Sequence, residues 1–181
     1  MSTFQKYEKF GAYHWDAYQN DPEYKAHVDH VVEWVQGDSI LDAGAGDGLI
    51  CAKLGAVGID DNKRAVELAT EKKANVLFCS VYDIVFDSSD FDAVFLGDVI
   101  EHLDRPKDAL LEIHRVLQEG GRLYVVWPAV TDAHAIRHYS IPQLVKAVTE
   151  CGFALQDDPY TIASRHYAVF GKVDGKKGKK K

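Results

Sequence analysis

The strongest constraint in this 181-residue chain is the stretch Ile40-Leu-Asp-Ala-Gly-Ala-Gly-Asp-Gly-Leu-Ile50. Four apolar-rich residues read as a buried strand, and the glycines that follow at every second position read as a tight turn opening a helix. A strand that turns straight into a helix is the start of a βαβ unit, so it commits the chain to a parallel sheet covered on both faces. The same turn lets main chain approach a ligand closely, in front of a helix N-terminus.

The pattern repeats downstream. Residues 39–44, 56–60, 75–80 and 91–97 read as four short buried strands, and residues 121–128 as a fifth. Asn62 is placed to cap a helix that ends near Ala74. Pro106 fits the first turn of a helix whose Leu110, Ile113 and Leu117 share a face, with Gly120 and Gly121 as its stop. Ser140 and Gln143 have capping-box spacing for a helix through Cys151, closed by Gly152. Runs at 153–156 and 166–173 supply the last strands, read as an antiparallel pair. The expected fold is α/β: a single doubly wound Rossmann-like domain over residues 37–173, with a mostly parallel seven-stranded sheet whose last strand is antiparallel.

The first 36 residues differ in kind. Phe4, Tyr7, Phe10, Tyr13, Trp15, Tyr18 and Tyr24 crowd aromatic rings into them, and Asp21-Pro22 opens a helix carrying Tyr24, Val28, Val31 and Val35 on one face. They read as an N-terminal helical cap over the sheet. At the other end, residues 172–181 hold six lysines and one aspartate, and residues 174–181 read as a disordered basic tail. The chain carries a formal charge of -7, so the body without this +5 end stands near -12. Such an acidic body argues against general phosphate-backbone binding. Three cysteines without C-x-x-C spacing suggest neither a zinc site nor a disulfide framework, and no apolar run approaches a bilayer span. The expected location is the cytoplasm.

Two further features sharpen the chemistry. A dinucleotide site wants G-x-G-x-x-G, whereas here the spacing is G-x-G-x-G, preceded by Asp42, an acid suited to a cation. Asp60 ends the next strand, where a carboxylate can accept hydrogen bonds from both hydroxyls of a ribose; Asp61 is the competing choice, better placed to begin the next helix. The run D-x-G-x-G-x-G, with Asp60 in Gly-Ile-Asp-Asp-Asn and residues 92–103 and 119–128 behind it, resembles the class I S-adenosylmethionine-dependent methyltransferases. Within that family it is similar to the small-molecule type that serves ubiquinone and menaquinone biosynthesis, over about residues 37–157.

The resemblance implies a donor, S-adenosyl-L-methionine, that leaves as S-adenosyl-L-homocysteine. It places Gly44, Ala45 and Gly46 along the methionine part, Asp42 toward its amino group, and Asp60 on the ribose hydroxyls. Ser80, Val81 and Tyr82 are expected at the adenine, with stacking on Tyr82 where relatives carry an acid at the position of Ser80, and the main chain of Gly97 beside the sulfonium. Only eleven residues separate Gly48 from Asp60, so the intervening helix is about two turns and the site more open there.

Methyl transfer from a sulfonium, whose leaving group is a neutral thioether, asks mainly for positioning, plus a base where the acceptor must lose a proton. His102 is the first candidate for that base; the alternative is a histidine that orders the loop. Asp98, Glu101 and His102 form a D-x-x-E-H cluster of metal-ligating types, similar to that of some metal-assisted relatives, with His138 in reach from a later loop; a capped helix start accounts for the same acids, and no metal ligand is assigned. His14, Trp15 and Tyr13 are expected either to close over donor and acceptor or merely to pack the cap. The expected activity is methylation of an oxygen, nitrogen or carbon of a small molecule, such as a sugar. The competing readings are a metal-assisted nucleic-acid-end methyltransferase, which the acidic body opposes, and a non-catalytic donor-binding or partner subunit.

Overall fold

The computed structural model describes residues 3–130 and 135–173, so the basic segment 174–181 lies outside the described residues. Helices α1 (Thr3–Phe10), α2 (Tyr13–Asn20) and α3 (Pro22–Trp34) precede the first strand. Strand β1 (Ile40–Ala43), helix α4 (Leu49–Leu54), β2 (Val57–Asp60), α5 (Lys63–Glu71) and β3 (Val76–Phe78) form the first half of the wind. The second half comprises β4 (Phe91–Gly97), a 3₁₀ turn at Ile100–His102, α6 (Pro106–Val116), β5 (Leu117–Pro128) and α7 (Ile141–Thr149). Strands β6 (Phe153–Leu155), β7 (Tyr160–Ile162) and β8 (Arg165–Lys172) follow.

The strands make one sheet in the order β3-β2-β1-β4-β5-β8-β6, with β7 also on β8. Strands β1 to β5 pair in parallel, and β8 runs antiparallel against β5, β6 and β7. Strand β8 is the single reversed strand and the last in the chain, as expected; in space it lies inside the edge rather than at it.

The strands are apolar because both faces are covered. Alternate residues sort between two cores. Leu41, Ile59, Val94, Leu96, Leu123, Val125 and Trp127 pack with Leu110 and Ile113 of α6 and Leu144 of α7. Ile40, Phe95, Tyr124 and Val126 pack with Val31 of α3, Cys51 of α4 and Ala69 of α5. The direction of winding reverses between β1 and β4, and a crevice therefore opens at their carboxyl ends. Gly44, Asp60 and Asp98 all stand just at or beyond strand ends on this edge.

Three local expectations are corrected. Helix α6 stops at Val116, and Leu117, already extended at ψ 140°, pairs with Phe91. Gly120 and Gly121 therefore lie within β5, beside a register shift, and do not stop the helix. The sheet has eight strands rather than seven, because β7 and β8 form a hairpin through Ala163 and Ser164. Ala163 sits at φ +50°, a conformation that Asn or Gly would have signalled and Ala does not. The Ser140–Gln143 box is present, the Ser140 amide donating to Gln143 Oε1 at 2.9 Å.

Candidate functional site

The glycine turn is folded by its own backbone. Gly44 N and Ala45 N both donate to Ile59 O, at 2.8 and 2.9 Å, and this stitches the end of β1 to β2. Gly44 adopts φ +88° and Gly46 φ +56°, values that exclude most side chains. Neither has room for one. A Cβ on Gly44 would stand 2.4 Å from Val99 Cγ2, and one on Gly46 would stand 2.2 Å from the Tyr7 hydroxyl.

Asp60 is fixed from two sides. Gly46 N donates to Oδ2 and Asn62 N to Oδ1, each at 2.8 Å, so the carboxylate is locked in plane with a lone pair of each oxygen left over. Burial is the largest influence on it and raises its pKa, against the two amides. Asp61 also faces the crevice, while Asn62 caps α5 through bonds from Arg64 N and Ala65 N. Asp42 is 3% exposed, and burial, then the charge of Asp60, push its pKa up to about 7.

These groups line one cavity of about 1020 Å³, large enough for a nucleoside-sized molecule with a second small one beside it. Asp42, Gly44, Ala45, Gly46, Asp60, Val81, Tyr82, Gly97 and His102 all stand on its wall. Ser80 does not; its hydroxyl accepts from Tyr82 N at 3.2 Å and shapes the turn. The Tyr82 hydroxyl accepts from Asp104 N at 3.0 Å, and the Arg105 guanidinium covers the ring at 4.4 Å. The ring is thus held rigid at the wall.

The D-x-x-E-H residues all line the cavity but do not converge on one point. Asp98, at φ +52°, turns its carboxylate to Arg165, whose Nε donates to Oδ2 at 2.8 Å. Glu101 is buried, and its carbonyl accepts from Ile136 N and Arg137 N. His102 Nε2 lies 3.8 Å from Glu101 Oε1, and His138 is exposed, away from the cavity wall. Among the described residues no three His, Cys, Asp or Glu side chains gather as a metal ion would require.

The aromatic segment makes the opposite wall: Tyr7, Tyr13, His14, Tyr24 and His27 line the cavity. Asp47 ties it down, a role the sequence did not suggest. Its fully buried carboxylate accepts His14 N at 3.0 Å and sits 3.1 Å from His14 Nδ1, while its carbonyl accepts Trp15 Nε1 at 2.9 Å. Trp15 itself lies off the cavity wall. The available signal was Asp47 inside a glycine turn, but its partners are 33 and 32 residues away.

Strand order and switch-point crevice together define the class of fold, a Rossmann-like doubly wound α/β sheet. Residues 41–125 match the family model described as a methyltransferase domain. A demethylmenaquinone methyltransferase of Clavibacter sepedonicus is 30% identical over 116 residues, covering 59% of this chain and 47% of that protein. The chain spans about half the length, or less, of the curated relatives it matches. Among solved structures, a Thermotoga maritima S-adenosylmethionine-dependent methyltransferase, described as a possible histamine N-methyltransferase, superposes at TM-score 0.80 with 18% identity, over 94% of this chain and all of that one. A Burkholderia thailandensis 1,6-didemethyltoxoflavin N1-methyltransferase, solved with its substrate and S-adenosylhomocysteine, gives 0.68 and 19% over 94% and 88%. At these identities the superpositions establish the fold. No described helix is long and apolar enough to cross a membrane.

Proposed function

We propose that the protein transfers the methyl group of S-adenosylmethionine to a small-molecule acceptor. The observation that carries this reading is Asp60, clamped by two backbone amides beside a turn with no room for side chains, at the switch point of the sheet. A rigid acceptor of hydrogen bonds there suits the two hydroxyls of a ribose. The bare backbone of Gly44 to Gly46 suits a chain laid along it, and buried Asp42 suits an ammonium group. Val81 and the braced Tyr82 ring suit an adenine face, with Ser80 shaping their turn.

The donor supplies an activated methyl, so the chain's part is to orient, dehydrate and, where needed, remove a proton. Gly97 and Asp98 border the place where the methyl would stand, and the aromatic wall keeps water from it. His102 lines the same space, with its amide tied to Val99 O at 2.9 Å, and is the proposed base. The ion pair of Asp98 with Arg165 favours this reading over the metal-assisted one. Transfer of labelled methyl from S-adenosylmethionine into a panel of small hydroxy, amino and carbon acids tests the proposal. Turnover with at least one acceptor, resistant to chelator, is expected; binding without any turnover would instead favour a non-catalytic subunit. His102→Ala should lower turnover by about 100-fold where the acceptor must lose a proton, leaving donor affinity unchanged.

A further inference from the structure

We propose that the methyl acceptor carries a carboxylate and that Arg165 anchors it. The inference rests on the methyltransferase reading above and concerns the half of the cavity beyond Gly97. Arg165 opens β8 opposite Pro128, at the end of β5, and lines the cavity with Asp98, Tyr24, His27 and Ser164. A guanidinium has five N–H donors in a fixed fork. Here Nε donates to Asp98 Oδ2 at 2.8 Å, and among the described residues the two Nη groups make no hydrogen bond.

Asp98 holds that orientation firmly. Its amide donates to Val126 O at 2.9 Å, and its backbone sits at φ +52°, a conformation strained for a non-glycine residue. The surroundings therefore enforce its place, and with it the edge of the guanidinium that faces away. On the α3 side the groups against Arg165 are neutral. Burial pushes His27 down to about 4, and its Nδ1 lies 2.8 Å from the Tyr167 hydroxyl. Burial raises the Tyr24 and Tyr167 hydroxyls well out of the titrating range.

Among the described residues, the other Lys or Arg on the cavity wall is Lys6, on α1, the helix packed against α5. The acceptor end thus offers one positively charged, planar, forked donor with its Nη edge uncommitted. A carboxylate matches that edge with two parallel hydrogen bonds, whereas an amide matches it with one neutral acceptor. Because Gly97 adjoins Asp98, the carboxylate and the methylated atom belong to one small molecule.

The test uses the full chain saturated with S-adenosylhomocysteine, titrated calorimetrically with phenylacetate, salicylate and 3-hydroxybutyrate, each beside its primary amide. At least one acid should bind about 10- to 100-fold more tightly than its amide, the range of a charge-assisted hydrogen bond. Arg165→Gln should abolish that preference and leave S-adenosylhomocysteine affinity within about twofold. Arg165→Lys keeps the charge without the fork, and should reduce the preference several-fold, which serves if the glutamine variant does not fold. Equal binding of acids and amides, no binding by any acid, or a preference that survives both substitutions overturns the proposal. If S-adenosylhomocysteine binds while the preference is absent, only this inference falls. If it does not bind the wild-type protein, the donor reading falls with it.

Discussion

Asp60 and Asp42 do different work although they share a wall. Asp60 keeps two amide partners and a free lone pair on each oxygen, so Asp60→Ala should remove the proposed ribose contacts and also loosen the glycine turn. The expected loss is about 10- to 100-fold in S-adenosylhomocysteine affinity, from one to two charge-assisted bonds. An unchanged affinity by titration calorimetry would move the ribose acid elsewhere, Asp61 first. Asp42 is an acid whose folded-state pKa is raised, to about 7 from the usual carboxylate range. Its contribution to stability is therefore fully present below about pH 4 and is lost as pH rises through about 7. Asp42→Asn should consequently raise the melting temperature by a few degrees at pH 8 and leave it nearly unchanged at pH 4, measured by scanning fluorimetry without ligand. The same variant should bind S-adenosylhomocysteine more weakly, because the amide offers the ammonium no charge.

At the scale of elements, the glycine turn and the aromatic segment are one structure. Gly46 has no space for a Cβ because Tyr7 of α1 stands there, and Asp47 holds α2 through His14 and Trp15. Asp47→Ala leaves the His14 amide and ring without their buried partner, so faster hydrogen exchange is expected in α1 and α2 while α6 and α7 keep their protection. Uniform loss of protection would show that the segment does not open separately. Gly44→Ala meets both a positive φ and Val99, and should cost about 2–4 kcal/mol by urea unfolding. The legible parts of the sequence were those with local causes. Strand, turn and cap residues lie within a few positions of one another, so β1, the place of Asp60 at the end of β2 and the Ser140 box could be read directly. The β7–β8 hairpin lacked a turn signature, and the start of β5 at Leu117 was masked by a continuous helical period through Leu110 and Ile113. The pairing of Asp47 with His14, and of Asp98 with Arg165, could not be read at all, since 33 and 67 residues separate the partners.

For the whole molecule, the sheet order explains why so few residues suffice to mark a site. Reversal between β1 and β4 gathers Gly44, Asp60 and Gly97 at one edge, and the three helices before β1 turn that edge into a cavity. On the eight-stranded sheet, the proposed donor half of this cavity lies at the first three parallel strands. The proposed acceptor half falls on β4, β5 and β8, so its residues are widely spaced in the chain. The acidic body is compatible with the proposed small acceptor and argues against general phosphate-backbone binding. The most direct test of the central claim is calorimetric titration of S-adenosylhomocysteine into the wild-type chain, with NAD as the control. One site per chain is expected, with a dissociation constant in the micromolar range or tighter, about -8 kcal/mol, and no heat with NAD. Absence of binding by S-adenosylhomocysteine, or equal binding of NAD, would contradict it.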